Sequence, residues 1–226
     1  MKIQHLSDTH SYFPNIADDV DIVVHTGDFF PNKYYGNRNN LDADFQSHWL
    51  QERQYTIISW LKGKKFIWCS GNHDWISPVS LFLEFGIEAY DATLAPVSVN
   101  DISFYGIPYV NPVGDWNWPM NDGESELAEY NIKDDFKKHG VPQILLSHAP
   151  PYTVLDKTIR GDNIGSRIVL DLLRQYKDNI QLNLNGHCHE DNGIVKFGNI
   201  IVCNSATTKG NIFSINKNKV SHVRKE

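Results

Sequence analysis

Five short polar motifs, each at the end of an apolar run, constrain this 226-residue chain most strongly. They are Asp8-Thr9-His10, Gly27-Asp28, Gly71-Asn72-His73-Asp74, Ser147-His148 and Gly186-His187-Cys188-His189. The runs before them are Ile3–Leu6, Asp21–His25, Lys65–Cys69, Ile144–Ser147 and Ile180–Leu184, which have the length and apolar content of buried strands. In α/β sheets, ligands collect outside the carboxyl ends of the strands. Strands that all end in Asp, Asn or His therefore predict one shared site. Those donors suit hard-to-borderline divalent cations, with no thiolate needed. Asp8 and His10 stand two apart, as do His187 and His189, so each pair can project to one side of an extended segment. The glycines before Asp28, Asn72 and His187 allow the sharp turns that aim side chains at a common point. Alone, each motif also looks like an ordinary surface turn. Separate turns do not account for all five in this order at strand ends.

Further strands are expected at Ala95–Val99, Ile102–Ile107, Gly193–Phe197, Ile200–Cys203 and Ile212–Asn216, separated by Gly/Asn turns in the manner of antiparallel hairpins. Three helices are predicted. One runs from Asp44 to Lys62 on a stripe of Phe45, Trp49, Tyr55, Ile57, Trp60 and Leu61, with Gly63 as its stop. A short one follows Ser77-Pro78 and ends at Gly86. The third spans Arg167–Tyr176, capped by Ser166. With no internal repeat or low-complexity linker, the chain reads as one α/β domain over residues 1–226.

Apolar residues, at 41%, are enough for a sizeable core. The net charge of −6, with no basic run longer than Lys64–Lys65 or Lys137–Lys138, argues against a long nucleic-acid partner and for a small substrate. Three cysteines, Cys69, Cys188 and Cys203, an odd and sparse set with no Cys-x-x-Cys pair, argue against a disulfide framework and against a zinc knuckle. A cytoplasmic, reducing setting is the expectation. No apolar stretch has the length of a membrane span, and Met1–His5 runs into a strand pattern without an apolar leader.

Taken together, the five blocks resemble the calcineurin-like metallophosphoesterase superfamily, whose pattern is Asp-x-His, Gly-Asp, Gly-Asn-His-Asp/Glu, a lone His and Gly-His-x-His. The resemblance implies a four-layer αββα sandwich with a dinuclear metal site at the carboxyl ends of the strands. Carried over by position, it implies that Asp8, His10 and His189 hold one metal and that Asn72, His148 and His187 hold the other. Asp28 would bridge the two. It makes His73 a catalytic residue, with Asp74 orienting its ring. Manganese is the first expectation for the two divalent ions, with Fe, Zn, Ni, Co or Mg as alternatives. The finer resemblance is to a branch of brain-type metallophosphoesterase-domain proteins. It rests on Ser7-Asp8-Thr9-His10-Ser11, His25-Thr26-Gly27-Asp28-Phe29, Gly106-Ile107-Pro108-Tyr109, Ser147-His148-Ala149-Pro150-Pro151 and Gly186-His187-Cys188-His189-Glu190 with the following Gly193. The segment Pro31–Asn40 has no match there. That branch implies phosphodiesterase activity on cyclic nucleotides, 2′,3′-cyclic ones included.

The resemblance implies that water activated by the two cations would attack phosphorus and that His73 would protonate the leaving oxygen. Protein phosphatases of the superfamily extend the second block to Gly-Asp-x-x-Asp-Arg-Gly. Here Gly27-Asp28-Phe29-Phe30-Pro31-Asn32 has neither the second Asp nor the Arg, so a small phosphodiester is the expected substrate. Phosphomonoester hydrolysis on the same site is the alternative. A non-catalytic scaffold is disfavoured, because no ligand is missing. Tyr34, Tyr35, Trp116 and Trp118 are loop aromatics that either pack under a loop or stack a base. Arg160, Asn163 and Ser166 precede a helix and either contact an anionic substrate or form an ordinary cap. His5 and His25, inside apolar strands, read as structural, and Cys188 as core.

Overall fold

A computed structural model describes residues 1–34, 39–108, 110–111, 122–216 and 219–225. In chain order the elements are β1 (Lys2–Leu6), β2 (Ile22–His25), α1 (Asn39–Glu52), α2 (Gln54–Leu61), β3 (Lys65–Trp68), α3 (Val79–Glu84), β4 (Ala89–Asp91), β5 (Pro96–Val99) and β6 (Ile102–Ile107). They continue with α4 (Asp122–His139), β7 (Ile144–Ser147), α5 (Arg167–Gln175), β8 (Leu182–Asn185), a 3-10 turn (His189–Asp191), β9 (Gly193–Phe197), β10 (Ile200–Asn204), β11 (Asn211–Asn216) and β12 (Lys219–Lys225).

The strands make two six-stranded mixed sheets, in the orders β12-β11-β1-β2-β3-β4 and β5-β6-β7-β8-β10-β9. Side-chain alternation along each strand decides the layers. Ile3, Ile22, Val24 and Ile67 of the first sheet meet Phe104, Leu146, Leu184 and Cys203 of the second in one apolar layer. The opposite faces are covered by helices. Leu6, Val23, Phe66 and Trp68 pack beneath Trp49, Leu50, Ile57, Trp60 and Phe82 of α1–α3. Tyr105, Leu145 and Val202 pack beneath Ile132 and Phe136 of α4 and Leu172 of α5. The result is the expected four-layer αββα sandwich. Within it β1, β2 and β3 run parallel, as do β7 and β8, so their carboxyl ends share one edge.

The ten expected strands are present, most with ends shifted by a residue or two. β4, β12 and α4 are additions to the sequence expectation. The single helix expected over Asp44–Lys62 is two. The helix is interrupted at Arg53, and α1 begins earlier, burying Asp42, Gln46, Trp49 and Leu50 at helical spacing. Past the break the buried face is Ile57, Trp60 and Leu61, which turns Tyr55 out to 84% exposure instead of into the expected stripe. Lys62 ends α2 in a left-handed conformation. Ser166 caps α5 as expected, accepting from the Val169 N–H.

Phe82 is fully buried, its ring 4.9 Å from that of Phe66 and 6.1 Å from that of Phe29. Phe82→Ala should cost ~3–5 kcal/mol of stability, read as a fall in the urea midpoint. An unchanged midpoint would show that α3 does not anchor this face.

Candidate metal centre

The loops after β1, β2, β3, β7 and β8 bring the seven expected ligand residues to one place at the shared sheet edge. Ligand atoms of Asp8, His10 and His189 lie within 4.8 Å of one another, and so do those of Asp8, Asp28 and His148. The Asn72 Oδ1 is 2.8 Å from His148 Nε2. The His187 ring centroid is 5.3 Å from that of His148. Asp8 and Asp28 are buried, whereas the side chains of His10 and His189 are 33% and 43% exposed, so the cluster opens to solvent on their side.

Each carboxylate commits one oxygen to the protein. Asp8 Oδ2 accepts from the Ser7 hydroxyl at 2.6 Å and the His187 N–H at 2.9 Å, leaving Oδ1 toward His189 at 3.1 Å. Asp28 Oδ1 accepts from the His73 N–H at 2.8 Å. Its Oδ2 faces His148, His10 and His73, at 3.4, 3.9 and 3.9 Å from their Nε2 atoms. His148 Nδ1 donates to the Thr26 carbonyl at 2.8 Å, which turns Nε2 into the cluster.

The backbone is bent to make this possible. Asp8, His10, Asp28 and His187 have φ of 53°, 42°, 57° and 66°, a region that costs non-glycine residues ~1–3 kcal/mol each and persists only where surroundings over-determine it. Three of the motif glycines are required by contact, Gly27 against the Gly71 backbone among them. A Cβ at Gly71 would overlap Asp28 Oδ1, and one at Gly186 would overlap Ser7 Oγ and Asp8 Oδ2.

Burial opposes ionisation of Asp8, but the His189 hydrogen bond and the His148 charge outweigh it and hold the carboxyl at about 2. Asp28 is held well below the carboxylate range, because the charge and hydrogen bond of His148 overcome its burial. The partner effect lifts His148 to about 10 against its own burial. Burial and the nearby His148 lower His187 to about 4. His187 Nε2 is a buried polar atom without a hydrogen-bond partner. A buried imidazole nitrogen left unpaired is costly. With its ring next to His148 and within the field of the Asp8 and Asp28 charges, it is an atom a divalent cation would satisfy. The donor set therefore fits divalent metal ions of the borderline class.

One expected role changes. Asp74 does not orient the ring of His73. Its carboxylate is taken by the backbone N–H groups of Gly71, Asp28, Phe29 and Phe30 at 2.7–3.3 Å. Asp74 thus staples the β2 and β3 loops together. Burial and the Asp28 charge raise it to about 7, while the Gly71 and Asp28 N–H groups pull it down. The ring partner of His73 is Asn32, whose Nδ2 is 2.7 Å from Nδ1. Of its two expected readings Ser166 takes the cap: it is 6% exposed and its hydroxyl faces the Val169 N–H. Arg160 and Asn163 are exposed, on the loop between β7 and α5. That loop is tied to the His189 turn through Lys157 N–H to Asp191 at 3.0 Å and Cys188 Sγ to the Lys157 carbonyl at 3.2 Å. Neither side chain hydrogen-bonds to any of the seven ligand residues among the described residues. Trp116, Trp118 and Tyr35 lie outside the described residues.

Sequence inspection missed Gln46 and Asn204. Gln46 of α1 donates to the His73 carbonyl at 2.8 Å and accepts from the Trp75 N–H at 2.8 Å, which fixes the His73 loop from behind. Its only signal was a polar residue in a buried helical stripe. Asn204 donates to the carbonyls of Cys188, Leu155 and Asp191, bracing the His187–His189 turn.

The family model for calcineurin-like phosphoesterases matches residues 1–191, and the chain belongs to that family of phosphoric ester hydrolases. An uncharacterized protein of Methanocaldococcus jannaschii is 32% identical over 125 residues, which are 54% of this chain and 56% of that protein, so the chain matches little more than half of that relative's length. A UPF0046 protein of Caenorhabditis elegans is 24% identical over 93% of this chain and 71% of its own length. Among solved structures, a dimetal phosphatase from Danio rerio has the same fold, with a TM-score of 0.54 at 11% identity over 98% of this chain and 95% of that one. No helix among the described residues is long and apolar enough to cross a membrane.

Burial, with a further contribution from like-charged neighbours, also lowers His5 and His187, to about 3 and about 4, and burial lowers His25 to about 3. Each takes up a proton on unfolding below its unfolded pKa of 6.5. Their contribution to stability is complete above that pH and is lost as pH falls through the window toward 4 and then 3. The raised Asp74 carboxyl and His148 ring hold their protons in the folded state and so oppose this loss, but the three lowered rings outnumber them, and the chelator-treated protein should show a urea midpoint that falls from pH 6 to pH 5, before most carboxylates titrate. A flat midpoint across that interval would contradict neutral burial of these rings.

Proposed function

We propose that this protein is a metal-dependent phosphodiesterase that hydrolyses small phosphodiesters, cyclic nucleotides including 2′,3′-cyclic ones among them. The observation that carries the reading is the convergence of Asp8, His10, Asp28, His148 and His189 in two overlapping groups of ligand atoms, with Asn72 and His187 beside His148 and the buried His187 nitrogen otherwise unpartnered. Asp8, His10 and His189 would hold one cation, and Asn72, His148 and His187 the other. Asp28 Oδ2 would serve both, since it faces the rings of His10 and His148. Two divalent cations, manganese first among Mn, Fe, Zn, Ni, Co and Mg, supply the Lewis acidity that deprotonates water and neutralises phosphoryl oxygens.

The remaining chemistry belongs to the chain. His73 Nε2 lies 3.9 Å from Asp28 Oδ2, on the side facing the cluster. With the Asn32 amide donating to Nδ1, the ring proton sits on Nε2, the atom that would pass it to the leaving oxygen. Gln46 and the Asp28–His73 backbone contact hold the ring in place from the other side. The half-exposed His10 and His189 leave room for an ester to approach. A net charge of −6 gives a long polyanion little to hold outside the cluster. Asn32 also stands where the second block lacks the Asp-Arg pair of protein phosphatases, which supports a small diester over a phosphoprotein. Cys69, Cys188 and Cys203 are buried and form no disulfide with one another, which supports a cytoplasmic setting.

Chelated protein reloaded with one metal at a time should cleave bis-p-nitrophenyl phosphate and a 2′,3′-cyclic nucleotide faster than p-nitrophenyl phosphate, a phosphopeptide or duplex DNA. Asp28→Asn should reduce kcat/KM by more than ~100-fold and weaken metal uptake. A preference for the monoester would replace the diesterase reading with a phosphatase one. Full activity in Asp28→Asn would refute the shared ligand.

His73→Ala should keep its metal content but lose roughly 10²–10⁴ in kcat for esters with poor leaving groups, and far less for nitrophenolate. Asn32→Ala should reproduce the same leaving-group pattern in smaller measure. A uniform loss across leaving groups would assign both residues to substrate positioning instead of proton transfer.

A further inference from the structure

Three of the seven ligand residues sit on just two loops, Asp8 and His10 after β1 and Asp28 after β2. The loop backbones are zipped together by Thr26 N–H to the Leu6 carbonyl at 3.0 Å, Asp8 N–H to the Gly27 carbonyl at 2.9 Å and His10 N–H to the Asp28 carbonyl at 2.9 Å. Yet all three ligand residues have left-handed φ, so the zipper alone does not explain why the loops stay in this shape. Two fully buried histidines supply side-chain ties. His5 of β1 is on the same face as Ile3, between the sheets, and its Nε2 lies 2.9 Å from the Thr26 hydroxyl of the β2 loop. His25 of β2 is on the opposite face, its ring 5.3 Å from that of Phe29, and its Nε2 lies 3.0 Å from the Thr9 hydroxyl of the β1 loop. The Gly27 N–H donates to His25 Nδ1 at 3.3 Å, so the ring proton sits on Nε2 and is donated to Thr9.

Each strand's histidine therefore grips the loop of the other strand, one on either face of the sheet. Thr9 lies between Asp8 and His10, and Thr26 lies two residues before Asp28. We propose that this reciprocal pair of His–Thr hydrogen bonds is a positioning device, which sets the separation of Asp8, His10 and Asp28 and thereby the spacing at which two cations are held. His5, His25, Thr9 and Thr26 touch neither metal nor substrate in this scheme. They act through the loops that carry the ligands. The inference rests on the two-cation reading given above.

The test uses Thr9→Val and Thr26→Val, which keep side-chain shape and remove the hydroxyl, with Thr9→Ser and Thr26→Ser as the variants that restore it. Manganese affinity is measured by calorimetric titration, and the manganese-loaded proteins are compared by electron paramagnetic resonance, because exchange coupling between two Mn(II) ions depends on their separation. Thermal midpoints of the chelated proteins are measured alongside. Each Val variant should bind manganese about tenfold more weakly and show an altered coupled signal, and each Ser variant should recover both. Val variants that lower only the thermal midpoint, with affinity and signal unchanged, would reduce the histidines to packing and overturn the proposal. Failure of Ser to restore the signal would do the same. The two ties are assayed separately, so a folding failure in one variant leaves the other decisive. Wild-type protein that takes up no manganese pair would refute the two-cation reading itself. A wild-type coupled signal that neither Val variant alters would refute only the clasp.

Discussion

Two buried carboxylates, Asp8 and Asp28, sit side by side among histidines at one edge of the sandwich, and the rest of the centre answers to that placement. Like charges in a dry, low-dielectric setting repel strongly unless opposite charge and hydrogen-bond donors surround them. The chain supplies donors first: Ser7 and the His187 N–H to Asp8, and the His73 N–H to Asp28. It supplies imidazoles second. One oxygen of each carboxylate is thereby committed to the protein, and the other is left facing the histidine rings. That division gives the cluster its direction.

The two sheets contribute unequally, and neither can build the centre alone. Asp8, His10, Asp28 and Asn72 come from loops of the first sheet, and His148, His187 and His189 from loops of the second. The joints between them are specific. His148 reaches across to the Thr26 carbonyl, and the His187 N–H to Asp8. The apolar layer between the sheets is thus what sets the register of one half-site on the other. Close backbone approach at Gly71 and Gly186 is the local form of the same requirement. A methyl group there would push apart the very oxygens that must converge.

Around the candidate ligands lies a set of buried polar residues that hold loops. Asp74 gathers four backbone N–H groups from two loops, Gln46 reaches from α1 to the His73 segment, and Asn204 binds three carbonyls of the last ligand turn and its neighbour. Such groups are tolerated in an interior because nearly every donor and acceptor finds a partner. They also explain how four ligand residues remain in left-handed backbone conformations that no local preference favours.

The sequence by itself determined which Asp, Asn and His residues follow buried strands and that the chain is of the α/β class, while the αββα sandwich and the ligand roles came from the family resemblance of the five blocks. The first two rest on short-range patterns: apolar runs of strand length, glycines at turns and donor types at fixed spacing. The Arg53 break and the outward turn of Tyr55 were not legible, because a helical stripe continues on paper across a residue that leaves the helix. The partner of His73 was decided only in three dimensions. Asp74 is its neighbour in sequence, yet the loop turns that carboxylate toward four backbone N–H groups, and Asn32, 41 positions away, meets the ring instead. Likewise, nothing in the spacing of His5, Thr9, His25 and Thr26 announces that they pair crosswise. That pairing follows from the parallel register of β1 on β2, with Ile3 opposite Ile22 and Leu6 opposite His25, and register is a property of packed strands and not of either strand alone.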